Sequence, residues 1–390
     1  MPSAVRGSVA HWTACLVAIC ALGVATPVDA QEQEENNEEE QAAPASNSDR
    51  LTISSADGDL SMTFGGRFQL RYEMGLDDFE PGHSSFFLRR LQPDIRGEAF
   101  GGNLSFRLMP DLSRQASLRD GWVSYRFSDG LQLRAGQFTV PFNWERHAPP
   151  TRHNFVERSV ANDQFQAATG RDIGLMVHGN PVERFHYGVG VFSGQGINQR
   201  FSDTTGHLFS GRIAYALAGE YPLTEVLVRP AEEMNLAIGG GAYLAIDNTA
   251  RDWNPLFDFD DPTAEPPGPE ANVLSTTADL HLQLSRFSMH LAGFFWNVSP
   301  TAESYQGFGY TGHLGALILP ERLLATARYS ESRPDLDEEE LSRREVLLGM
   351  QIFHRGNDSK FHVEAGQTSE HDGDLWQNGP VIRAQYQFLF

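Results

Sequence analysis

From residue 50 to residue 390 the chain alternates. In 63–73, Phe64, Gly66, Phe68, Leu70 and Tyr72 stand on one face, and Thr63, Gly65, Arg67, Gln69, Arg71 and Glu73 on the other. A period of two that separates apolar from charged residues is the pattern of a β-strand with one greasy and one polar face. It returns at 90–99, where Leu91, Ile95 and Ala99 oppose Arg90, Gln92, Asp94, Arg96 and Glu98, and at 103–109, where Leu104, Phe106 and Leu108 oppose Ser105 and Arg107. Thirteen more strands are expected near 120–127, 131–137, 172–178, 185–192, 208–217, 235–245, 274–284, 287–296, 310–319, 323–330, 345–354, 361–368 and 381–390, making sixteen.

The connections narrow the architecture further. Gly101-Gly102, Ser128-Asp129-Gly130, Gly179-Asn180-Pro181, Ser285-Arg286, Pro320-Glu321 and Arg355-Gly356-Asn357-Asp358 are tight turns built from turn-forming residues. Between them fall polar linkers at 74–85, 110–117, 138–170, 193–207, 246–273, 297–309, 331–343 and 369–379. An even number of antiparallel strands, with short turns at one end and long loops at the other, predicts a transmembrane antiparallel β-barrel of about sixteen strands. Each strand with its connection takes about 21 residues, room for the roughly 9–11 that a tilted membrane strand needs. The chain finishes with Ile382, Ala384, Tyr386, Phe388 and Phe390 on one face, an aromatic ending that resembles the assembly signal of outer-membrane barrels. One connection breaks the rule: 218–234 stands where a short turn belongs, so it holds an extra element or the strand register there is wrong.

Ahead of the barrel, residues 1–30 have the layout of a secretory signal, with Arg6, an apolar stretch over 9–23 and Val28-Asp29-Ala30 before Gln31. Outer-membrane localisation after cleavage is the expectation. Both cysteines, Cys15 and Cys20, fall inside this segment, and bulky Ile19 disfavours Cys20 as a lipoprotein acceptor. Residues 31–49 carry Glu32, Glu34, Glu35, Glu38, Glu39 and Glu40 among small polar residues, and read as a disordered acidic leader. Three segments follow: signal 1–30, leader 31–49 and barrel 50–390.

Composition excludes several classes. Mean hydropathy of −0.37, with no apolar run of about 18 residues past the amino-terminal segment, excludes a multi-span helical membrane protein. A net charge of −21 argues against nucleic acid as a partner. GxSxG, HExxH and phosphate-binding glycine loops are absent, so neither enzyme nor cofactor is expected. His147 and His153 flank Glu145 and Glu157 in the third loop, a grouping that offers metal or acid–base chemistry but matches no ligand spacing. His178, His186, His281, His290, His313 and His362 read as isolated lumen-wall residues. Inward Trp122, Phe192, Phe294 and Trp296 leave a carbohydrate track open, whereas Tyr72, Tyr125, Phe127, Tyr187, Tyr215, Tyr310, Tyr329, Tyr386 and Phe388 read as outward interface girdles.

Several blocks resemble the phosphate-selective porin O/P family: Phe87-Leu88-Arg89-Arg90 leading to Arg96-Gly97, Leu131-Gln132-Leu133-Arg134-Ala135-Gly136-Gln137-Phe138 followed by Val140-Pro141-Phe142, Phe155-Val156-Glu157-Arg158-Ser159, and Gly170-Arg171-Asp172-Ile173-Gly174. The resemblance implies a sixteen-stranded outer-membrane channel, usually trimeric, inserted by the barrel assembly machinery among outer-membrane lipid. It also implies a long third loop folded into the lumen as a constriction, and 138–170 occupies that position. The family's lysine-lined phosphate site has no counterpart, because Lys360 is the only lysine and reads as part of a short turn. Arg146, Arg152 and Arg158 in the third loop are candidate substitutes, balanced by Glu145, Glu157 and Asp163.

The inward phase also assembles an arginine wall: Arg67 and Arg71, then Arg90 and Arg96, then Arg107, Arg126 and Arg134 on successive strands. Barrel closure adds Arg383, and Glu73, Asp94, Glu98 and Asp120 interrupt the arc. Guanidinium stays charged at any working pH, so this wall predicts a lumen that passes small anions. A general porin, a channel for cations or neutral nutrients, and an outer-membrane barrel hydrolase are the alternatives.

Overall fold

The computed structural model describes residues 51–77, 80–167, 170–199, 206–248, 271–300, 304–337, 342–372 and 375–390. A short strand β1 (Leu51–Ser54) precedes sixteen long ones. These are β2 (Ser61–Asp77), β3 (Glu80–Ala99), β4 (Leu104–Asp111), β5 (Ser117–Ser128), β6 (Leu131–Thr139), β7 (Arg171–Gly179), β8 (Phe185–Phe192) and β9 (Leu208–Ala218). After them come β10 (Asn235–Asn248), β11 (Ala271–Leu284), β12 (Phe287–Pro300), β13 (Tyr305–Leu319), β14 (Leu323–Arg333), β15 (Arg343–Arg355), β16 (Ser359–Asp372) and β17 (Leu375–Leu389). Each strand from β2 onward is antiparallel to the next, and β17 returns to pair with β2, with Arg383 opposite Glu73 and Leu389 opposite Arg67. The result is a closed sixteen-stranded barrel with no free edge along its wall.

Alternation sets the two faces. On β11, Ser275, Thr277, Asp279, His281 and Gln283 are buried toward the lumen. Leu274 and Leu284, on the other face, are exposed. Exposed Phe209, Ile213, Tyr215, Leu291, Leu314, Val346, Leu348 and Met350 continue this greasy exterior around the wall, the inverse of a water-soluble sheet and the surface that hydrocarbon favours. Tyr125, Phe127, Tyr215, Tyr310, Tyr329, Tyr386 and Phe388 are exposed on it.

All sixteen expected strands are present, and several run further than alternation alone marks. The expected linker 74–85 is mostly strand, because β2 and β3 keep pairing out to Asp77 opposite Glu80. Ladder hydrogen bonds satisfy the backbone there whatever the side-chain pattern. Lys360 is likewise the second residue of β16 and not a turn residue. The long connection expected at 218–234 is genuine: β9 and β10 are direct neighbours on either side of it, with Tyr215 opposite Ile238 and Ser210 opposite Tyr243. The signal and leader expectations, and residues 249–270 of the expected linker 246–273, fall outside the described residues.

Candidate functional site

The connection between β6 and β7 carries two short helical turns, α1 (Trp144–His147) and α2 (Val160–Phe165), and a single 3-10 turn at Pro150–Arg152. Asn143 caps α1, its Oδ1 accepting from the Arg146 N–H at 2.8 Å. Ser159 caps α2, its Oγ accepting from the Asn162 N–H at 3.1 Å. Glu145 ties the two together by accepting from the Ser159 N–H at 2.6 Å and the Ser159 Oγ–H at 2.7 Å.

This compact loop sits against inward faces of distant strands. Val140, Phe142, Ala161 and Phe165 share one apolar cluster with Tyr243 of β10, Phe294 and Trp296 of β12 and Phe192 of β8. The wall is pared to glycine beneath it: a Cβ on Gly241 would strike the Phe142 carbonyl, and one on Gly309 would meet the Phe165 ring at 2.6 Å. Polar wall side chains take up the loop's backbone groups. Glu364 accepts from the Val156 N–H at 3.0 Å, and Gln351 donates to the carbonyls of His153 and Asn154 at 3.0 and 3.1 Å. Lys360 donates to the Thr151 carbonyl at 3.0 Å, and Arg328 to the Glu157 carbonyl at 2.7 Å. Phe192, Phe294 and Trp296 are thus covered by the loop, which removes the carbohydrate track they suggested.

Facing the loop are the arginines. Arg71 on β2 bonds Glu157 of the loop at 2.5 Å and Gln385 at 2.9 Å, and Arg89 on β3 reaches the same Glu157 at 2.5 Å. Asp94 is shared by Arg96 at 3.0 Å and Arg107 at 2.8 Å; Asp120 is shared by Arg171 at 3.0 Å and Arg107 at 3.5 Å. Glu73 also lies 3.6 Å from Arg71, so four carboxylates serve these five guanidinium groups. Arg67 and Arg90 are buried and held by neutral groups, Arg67 by the Met109 sulfur at 3.0 Å and Arg90 by Gln69 at 2.7 Å. Arg134 lies 4.0 Å from the Trp122 ring centroid. Burial works against the Glu157 carboxylate, and Arg89 and Arg71 overcome it and hold it well below the usual carboxylate range.

The expected wall residues part company at the ends. Arg383 is held by Glu73 at 2.8 Å and Glu364 at 3.0 Å, beside Arg71. Arg126 lies near the short-turn end and donates to the Gly102 carbonyl at 3.2 Å, away from the loop. Within the loop, Arg146 pairs with Asp163 at 2.7 Å and Arg158 donates to the Glu145 carbonyl at 2.7 Å. The Arg152 carbonyl is bonded by Glu225 N–H at 3.0 Å.

Alternation misses two features. Arg89 is the extra residue of a β-bulge, where Gln69 pairs with Arg90 but Leu70 with Leu88, and the irregularity lets consecutive arginines both turn inward. Adjacent arginines within a strand were the available signal. The histidines are not isolated either: His281, His290 and His313 stand directly opposite one another on β11, β12 and β13, and the first two rings stack at 4.4 Å. The third-loop grouping of His147, His153, Glu145 and Glu157 comes apart, since Glu145 caps Ser159, Glu157 goes to the arginines and His153 turns to Glu225.

The barrel thus carries a long segment between its fifth and sixth wall strands, with arginines facing it. Residues 62–224 match the family model for phosphate-selective porins O and P. No curated protein matches the chain. Among solved structures, the barrel is similar to the outer-membrane expressed OmpT of Vibrio cholerae, with TM-score 0.60 and 7% identity over 87% of this chain and 100% of that one. It is also similar to an anion-selective porin from Comamonas acidovorans, with TM-score 0.59 and 12% identity over 85% and 100% of the two chains. The outer membrane channel DcaP of Acinetobacter baumannii gives TM-score 0.55 and 11% identity over 86% and 99%. At such identities the likeness is one of fold.

Proposed function

We propose that the barrel is an outer-membrane channel through which small hydrophilic solutes diffuse, with a preference for anions, and that it works as a homotrimer without catalysis. The surplus of guanidinium carries the anion preference. Four carboxylates are divided among five arginines opposite the third loop, and Arg67 and Arg90 add charge that neutral partners hold in place. In a narrow aqueous passage with low-dielectric walls, such one-sided charge concentrates counter-ions. The third loop, docked across Phe294, Trp296 and Glu364, is the constriction in this reading. A Vibrio cholerae OmpT solved in a trimer form, TM-score 0.53, supports the oligomer. The forked donors of guanidinium suit phosphate-type oxyanions, and the anions passed include these in this reading.

The test is electrical. Refolded protein in a planar bilayer, under a KCl gradient, is expected to show stepwise conductance with a reversal potential on the anion side. A cation-side potential would overturn the anion preference and favour a general or cation-passing porin. Absence of any conductance by well-folded protein, with esterase activity in its place, would overturn the channel.

A further inference from the structure

The connection Gly219–Met234 emerges at the short-turn end of the barrel, yet it does not stay there. It straps the mouth by backbone hydrogen bonds to the turns of two hairpins: Ala231 N–H to the Ser285 carbonyl at 2.7 Å, and Glu321 N–H to the Val228 carbonyl at 2.7 Å. Val226 and Leu227 then plug into the barrel against Leu317 of β13, Leu324 of β14 and Phe353 of β15. This apolar anchor aims the preceding residue, Glu225, up into the lumen. Its carboxylate, 2% exposed, accepts from the Asn154 N–H at 2.9 Å and contacts His313 Nδ1 at 3.0 Å and His153 Nδ1 at 3.4 Å. Its own N–H donates to the Arg152 carbonyl, the Trp144 indole donates to the Pro222 carbonyl at 2.9 Å, and Gln283 donates to the Thr224 carbonyl at 2.8 Å.

Asn154, His153, Arg152 and Trp144 all belong to the third loop, which enters from the other end. We infer that Glu225 is the positioning residue of the constriction: a latch that holds the third loop from the short-turn side, closes the histidine-lined half of the lumen and leaves the arginine half as the only path. This rests on the channel reading. Two independent segments joined around one buried carboxylate, with the Glu225 N–H and the Trp144 indole bonding across as well, exceed what closing a hairpin needs, since two-residue turns such as Ser285-Arg286 suffice elsewhere. Burial opposes the Glu225 charge, and His313 and His153 outweigh it, holding the carboxylate well below its usual range. A buried anion with three donors is costly to lose, because the donors then stay desolvated and unmet.

Glu225→Gln keeps the shape and removes the charge. In bilayers, that variant is expected to conduct about twofold more or above, with noisier steps and a weaker anion preference, because the loop leaves the histidine half. Trypsin added to the folded variant should cut after Arg146, Arg152 or Arg158, which the latched loop protects. His153→Ala attacks the loop's half of the contact and is expected to move the same readouts, and Glu225→Asp should recover part of the wild-type behaviour. Heat-modifiable electrophoretic mobility reports whether each barrel is folded. Folded Glu225→Gln and His153→Ala barrels with wild-type conductance, selectivity and trypsin resistance would overturn the latch. A wild-type barrel that conducts nothing would remove the channel reading and the latch with it, a different result from a conducting barrel indifferent to Glu225.

Discussion

An arginine in a channel wall either faces solute or braces the protein, and its partners decide which. Arg96, Arg107 and Arg171 are braced by Asp94 and Asp120, while buried Arg67 and Arg90 are bonded to the neutral Met109 and Gln69 and leave their charge to the lumen field, to which Arg134, packed on the Trp122 ring, adds its own. Replacing Arg67, Arg90 and Arg134 together by Ala is therefore expected to shift the reversal potential toward cations while leaving the barrel folded; an unshifted potential would remove these three as the selective element. Glu157 gives a pH prediction. Arg71, Arg89 and nearby Arg90 face it, and its depressed pKa means that its ionised form is favoured in the folded protein. That stabilisation is fully present above the ordinary carboxylate value near 4.5 and is lost only as pH falls through the depressed value. Conductance is expected to stay level from pH 7 down past 4.5, whereas Glu157→Gln should show a loosened loop at every pH; a wild-type step centred near 4.5 would contradict it. Alternation made the wall arginines legible in the sequence because side-chain direction has a fixed period. It could not reveal Arg89, which depends on a bulge, nor the file of His281, His290 and His313, which depends on register between strands.

In the proposed channel, the third loop is the element on which the pore's width turns. Its length and position in the strand order were visible in the sequence, but its seat was not, since Val156 meets Glu364 and Ala161 meets Ser330 across more than a hundred and fifty residues of chain. No local pattern encodes contacts of that range. Phe165, fully buried between Phe294 and Trp296, is its chief apolar peg. Phe165→Ala should weaken docking by about 3–5 kcal/mol, and Gly241→Val should displace Phe142 by direct collision. Both variants, and a loop shortened between 143 and 166, are expected to conduct more than wild type. Unchanged conductance in a folded, shortened barrel would place the loop outside the solute path. The segment 219–234 was legible only as an exception to the turn pattern; what it does inside the barrel emerges from its anchor of Val226 and Leu227.

For the whole molecule, charge and function point in opposite directions until location is considered. The chain carries −21 overall, yet the surface facing the third loop is rich in arginine. Selectivity follows the field inside the passage and not the sum over the chain. Closure makes a further demand. Phe390 exchanges both backbone hydrogen bonds with Gly66, at 2.8 and 3.1 Å, so Phe390 is a full member of the wall. Deleting Phe390 is expected to lower outer-membrane yield far more than deleting 31–49, measured by heat-modifiable mobility in membrane fractions; equal yields would count against it. Beyond Phe390, β1 takes over the same edge of β2, with Leu51 opposite Phe64 and running in the direction of β17. Only Gly65 lies between the two pairings on β2, so the chain nearly bites its own tail. A single bridging residue from Phe390 to Leu51 would turn sixteen staves into an endless hoop, which could then be cut open at any outer hairpin to give a permuted barrel.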